Sequence, residues 1–163
     1  MIKYLIAARH GAYDQATGKL TERGEQQAKL LGNAIKLQIL KERVENVILC
    51  SSPERRAITT MEIVARTIFG FDPGVQTPTC LGLHGDSFDT AGFIWAKAAQ
   101  HKRKNGCIPS IIIVTHERLA GEAAMYYAYL RQHNDPTTLS ACLSYGQAVC
   151  YHPESDALSF LMP

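Results

Sequence analysis

Three short apolar runs punctuate a chain otherwise patterned for helices: Leu5–Ala8, Val47–Cys50 and Ile111–Thr115. None alternates apolar with polar residues, which is the pattern of a strand covered on both faces. Longer segments lie between them, with apolar residues at helical spacing. Ala28, Leu31, Ile35 and Ile39 form one stripe, and Ala57, Met61, Val64 and Ile68 a second. Strands that alternate with helices specify a three-layer α/β/α sandwich around a mostly parallel sheet. The C-terminal stretch QAVCYHPESDALSFLMP reads as two strands joined by a polar turn, a hairpin at the sheet edge.

The helix boundaries follow from capping chemistry. Thr21 is expected to cap a helix running to about Arg43. Ser52 is expected to cap the next, with Pro53 at its first helical position. A break at Pro73–Pro78 overlaps a weaker strand near Val75–Leu81, and a helix is expected over about Thr90–Lys104. The helix after Thr115 carries Leu119, Ala123, Tyr126 and Leu130 on one face. No repeat or linker interrupts the chain, so residues 1–163 are expected to form one domain.

Composition narrows the function classes. A net charge of +2 gives no argument for nucleic acid or a membrane surface. No apolar run approaches the roughly 20 residues of a spanning helix. Met1 leads almost directly into the first strand, with no room for a signal peptide, so a cytoplasmic location is expected. The five cysteines are odd in number and contain no Cys-x-x-Cys pair, which suits small buried hydrophobes better than a zinc site or disulfide framework. A nucleophilic Cys50 ranks below that reading.

In an open parallel sheet, ligands sit outside the carboxyl ends of the strands. Here three such ends carry reactive sequence: Arg9-His10-Gly11, Ser51-Ser52-Pro53 and Thr115-His116-Glu117. Together with Arg56, one turn into the following helix, they supply two guanidiniums and two imidazoles. Guanidinium forks bind phosphate oxygens in pairs. A neutral imidazole can attack phosphorus while the cations hold the transition-state oxygens. Gly11 would let backbone approach the phosphate closely.

The segments ARHG, LTERGEQQA, CSSPERRAITT and IIIVTHE, in that order, resemble the histidine phosphatase superfamily, also called phosphoglycerate mutase-like, from residue 1 to about 151. The resemblance implies that fold and a nucleophilic His10 that becomes phosphorylated. It implies phosphoryl binding by Arg9, Arg56 and His116, with Arg56 preferred to Arg55 because it immediately precedes alanine. Thr21 and Gly24 fall in a structural motif. The short chain and the Gly85-Asp86 stretch are most similar to SixA-type phosphohistidine phosphatases. The implied activity is a metal-independent, cofactor-free phosphatase acting on a phosphohistidine protein or a small phosphate ester.

The sequence also departs from the family pattern. Ala12 replaces an acidic or amide residue, Glu117 stands where many members have glycine, and no glutamate lies between Val75 and Phe88, where many members carry the proton donor. Asp86 and Glu117 are the candidate donors, Asp86 slightly favoured because it lies in a glycine-flanked loop. Two competing readings are a catalytically weak phosphate-binding module and, given the short chain less favoured, a phosphoglycerate mutase.

Overall fold

The computed structural model describes residues 2–41, 46–132 and 143–162. Five strands form one sheet: β1 (Leu5–Arg9), β2 (Val47–Ser51), β3 (Ser110–Thr115), β4 (Ala148–His152) and β5 (Ala157–Leu161). Their spatial order is β2-β3-β1-β4-β5. β3 pairs in parallel with both β1 and β2, whereas β4 is antiparallel to β1 and to β5. Only β4 therefore runs against the rest, and the expected hairpin closes the edge at β5.

Four helices cover the sheet: α1 (Glu22–Lys41), α2 (Arg55–Phe69), α3 (Ser87–Asn105) and α4 (Glu117–Gln132). Successive strand residues face opposite ways, so β1 feeds two cores. Leu5 and Ala7 pack with Ile94, Ala98, Ala123 and Tyr127 of α3 and α4. Ile6 and Ala8 pack with Leu31, Ile35, Met61 and Val64 of α1 and α2. This two-sided burial is why the strands read as unbroken apolar runs. Cys50 and Cys150 fill these cores as expected, while Cys142 lies outside the described residues. Burial pushes the Cys50 thiol up to about 12, so it stays protonated and inert.

Several boundaries differ from expectation. The Thr21 hydroxyl caps α1 by accepting from the Gly24 N–H at 3.1 Å, and the expected end at Arg43 lies outside the described residues. α2 begins at Arg55, with Glu54 at its cap position but making no side-chain cap bond. Ser52 does not cap it either, because its hydroxyl is turned towards His116. The expected strand over Val75–Leu81 reduces to one parallel bridge between Gln76 and Cys50, followed by a 3₁₀ turn over Thr79–Leu81. Pro78 removes a backbone donor from that segment and ends any ladder. α3 starts at Ser87, three residues before the expected Thr90, because Asp86 caps it.

Two glycines fix how the loop after β1 meets α1. A Cβ on Gly24 would stand 1.9 Å from the Ala12 carbonyl oxygen, and one on Gly11 would stand 2.4 Å from that of Gly24. Gly11 is thus required by backbone-on-backbone packing beside His10. Gly24→Ala is expected to destabilise the protein by at least about 1–3 kcal/mol through overpacking. Denaturant unfolding checks this, and an unchanged midpoint would contradict the close approach.

Candidate active site

The parallel register brings the three strand ends level. Arg9 pairs with Thr115 and Ser51 with Val114, and the His10 N–H donates to the Thr115 carbonyl at 3.0 Å. His10, Arg56 and His116 meet directly. Arg56 Nε–H lies 3.1 Å from His10 Nε2, and Arg56 Nη2 lies 3.3 Å from His116 Nδ1. The two imidazole rings stand 5.2 Å apart, nearly perpendicular. Both histidines are buried, which places the cations around a sheltered floor.

The partners of His10 define its tautomer. Nδ1 lies 2.8 Å from the Gly11 carbonyl oxygen, which can only accept, so Nδ1 carries the proton. Nε2 then presents its lone pair, at which Arg56 Nε–H now points. Burial is the largest influence on this imidazole and lowers its pKa. The bond to Gly11 works against that, and the charges of His116, Arg56 and Arg9 lower it further, to about 4. The ring is therefore neutral at neutral pH, as a nitrogen nucleophile requires.

Arg9 is held from several sides. Its Nη1 donates to the Leu143 carbonyl at 2.8 Å and pairs with Glu117 Oε2 at 2.8 Å. Its guanidinium lies over the Tyr145 ring at 4.0 Å, as that of Arg56 lies over Tyr13 at 4.5 Å. Tyr13 and Tyr145 also flank the His10 ring, at 5.2 and 5.6 Å between centroids. Among the described residues the buried Nε of Arg9 makes no hydrogen bond.

The two candidate acids part company here. Asp86, the favoured donor, instead caps α3: its exposed carboxylate accepts from the N–H groups of Phe88 at 2.8 Å and Asp89 at 3.2 Å. Glu117 opens α4 and reaches Arg9 rather than pointing away from the cluster. The carboxylate beside the second imidazole is Glu54, whose Oε2 lies 3.1 Å from His116 Nε2. Ser52 Oγ donates to the same Oε2 and lies 3.0 Å from His116 Nε2, and the Leu83 N–H holds Oε1 at 2.9 Å. Burial raises the Glu54 pKa, but the Leu83 and His116 contacts outweigh it and hold the carboxyl below its ordinary value. Sequence reading missed Glu54 because SSPE looks like a helix start. Tyr13 and Tyr145 carry no local pattern at all.

Comparison with known proteins bears on this geometry. The model of the histidine phosphatase superfamily (branch 1) matches residues 5–75, a span that contains Arg9, His10 and Arg56. That match covers the N-terminal part of the chain, less than half of its length. Its fold is similar to the protein histidine phosphatase SixA complexed with tungstate, at TM-score 0.66 and 21% identity over 96% of this chain and 93% of that one. A SixA from Agrobacterium tumefaciens, described as a putative phosphohistidine phosphatase, gives 0.64 and 18% over 99% of each chain. A phosphoglycerate mutase from Bacillus anthracis gives 0.57 and 14% over 96% and 90%. No curated protein sequence matches. The fold is thus phosphoglycerate mutase-like across nearly the whole length of the chain. Among the described residues no helix is long and apolar enough to cross a membrane.

The lowered His10 pKa has a sign that can be tested. The unfolded chain binds more protons than the folded one between about 6.5 and 4. The contribution of His10 to stability is fully present above 6.5 and is lost as pH falls through about 4, for a total of about 3 kcal/mol. Denaturant unfolding of the protein and of His10→Asn at pH 7 and pH 4 is expected to show the stability advantage of His10 shrinking by that order. An advantage independent of pH contradicts it.

Proposed function

We propose that the protein is a metal-independent phosphatase that works through a phosphorylated His10, on a phosphohistidine protein or a small phosphate ester. The carrying observation is the His10 Nε2 lone pair, held neutral by the Gly11 carbonyl and faced by Arg56 with His116 opposite. In-line attack by Nε2 on phosphorus places negative charge on the equatorial oxygens. Arg56 stabilises those oxygens by swinging its Nε–H from the lone pair to the phosphoryl group, and the uncommitted Arg9 Nε–H supplies a further donor. These fixed cations do the charge neutralisation that a divalent ion does in other phosphoryl-transfer sites. Water then attacks the phosphorus of the intermediate and regenerates His10.

The likeness to SixA structures, one of them a protein histidine phosphatase, supports phosphohistidine as a substrate. Its leaving nitrogen accepts a proton readily and so depends least on a strong acid. Turnover of p-nitrophenyl phosphate and of a phosphohistidine protein, each with excess EDTA, tests the reading. Activity is expected to survive the chelator and to fall at least about 10³-fold in His10→Ala, the scale for loss of a nucleophile. Activity abolished by EDTA, or retained by His10→Ala, overturns it.

A further inference from the structure

Glu54 stands behind His116 in an arrangement that a purely structural carboxylate does not need. Its Oε1 is anchored to the Leu83 N–H, its Oε2 receives the Ser52 hydroxyl, and the same Oε2 faces His116 Nε2. On the other side of the ring, Nδ1 faces Arg56, and the His10 ring stands 5.2 Å away between centroids. We propose that Glu54 is a positioning residue that fixes one proton on His116 Nε2 and so makes His116 Nδ1 the carrier of the leaving-group proton. The proposal rests on the phosphatase reading above.

An ionised carboxylate only accepts, so the nitrogen facing it keeps its hydrogen in both the neutral and the cationic ring. Any second proton must therefore sit on Nδ1. The charged groups acting on His116 are Glu54 from the β2–α2 connection, Arg56 from α2 and Arg9 at the end of β1, while the neutral His10 ring stands beside it and Glu117 of α4 is paired with Arg9. Without ligand, burial and the two arginines disfavour the second proton and Glu54 favours it. A phosphate dianion between the rings reverses the effect of the arginines and leaves Glu54 supporting an imidazolium. This is the carboxylate–imidazole logic by which an acid orients a ring and stabilises its charged form.

The step balances. His10 Nε2 forms the N–P bond as the bond from phosphorus to the leaving atom breaks. The leaving atom keeps that electron pair and takes the proton from His116 Nδ1. In the second half, water forms the new P–O bond as the N–P bond breaks, and its proton returns to His116 Nδ1. The sum is ester plus water giving alcohol plus hydrogen phosphate, with both imidazoles restored.

The direct test follows the ¹⁵N resonances of His116 through a pH titration, with inorganic phosphate as the probe. In Glu54→Gln the apparent pKa of phosphate-bound His116 is expected to fall, and an unchanged pKa overturns the proposal. Rates add a second readout. Glu54→Gln is expected to slow an alkyl phosphate about 10²-fold, as for a lost general acid, while p-nitrophenyl phosphate changes little. Equal loss on both substrates assigns Glu54 to holding Leu83 and overturns the proposal. Glu54→Asp keeps the charge on a shorter arm and is expected to recover part of the alkyl rate. If Glu54→Gln does not fold by circular dichroism, the titration is made on Glu54→Asp, where the longer gap to His116 lowers the same pKa and an unchanged value overturns it. The phosphatase reading fails separately, through turnover that does not need His10.

Discussion

β3 lies between β1 and β2 and pairs in parallel with both, and the functional geometry descends from that pairing. The register brings Arg9 level with Thr115 and Ser51 level with Val114, so the residues that follow each strand enter the same space. Backbone bonds carry the alignment past the last ladder pair: the Thr115 carbonyl receives the His10 N–H, and the Val114 carbonyl receives the Ser52 N–H at 2.8 Å. A side chain mounted on a strand end and backed by two cores, as His10 is, is held more firmly than one on a free loop.

Gathering two guanidiniums and two imidazoles in a buried space costs electrostatic energy, and the chain meets that cost residue by residue. Burial keeps both imidazoles from adding positive charge. Glu117 neutralises Arg9 at the outer side, and Glu54 stands against His116 at the inner side. The faces of Tyr13 and Tyr145 present negative charge density to the two guanidiniums. On the proposed function, an arriving phosphoryl group would compete with Glu117 for Arg9 but leave Glu54 in place, because Glu54 is tied to Leu83 and Ser52 as well. Each of the two acids beside the cluster thus has a distinct electrostatic role.

What was legible in the sequence was what local pattern encodes. The unbroken apolar runs at Leu5, Val47 and Ile111 announce strands buried on both faces, and parallel order then dictates that their polar ends converge. Arg9, His10, Arg56 and His116 could be named because each lies on or just after such an end. Glu54 and Asp86 part for a physical reason. Ser-Ser-Pro-Glu and Gly-Asp-Ser both look like helix starts, and only the direction of each side chain separates a cap from a site residue. Asp86 turns back on its own helix, whereas Glu54 turns across the sheet edge to a residue 62 positions away. Tyr145 reaches His10 from the far end of the chain, a contact set by the antiparallel return of β4 beside β1, which no short-range periodicity carries.

The central claim is covalent: a phosphoryl group passes through the Nε2 atom of His10. Rapid mixing with p-nitrophenyl phosphate, quenching in alkali to preserve phosphohistidine, and peptide mass spectrometry tests it most directly. The account predicts one phosphoryl group on the peptide that contains His10, formed within the first turnover and absent when the protein is mixed with p-nitrophenol alone. Turnover with that peptide unmodified at every quench time, or the phosphoryl group on His116 instead, would contradict it.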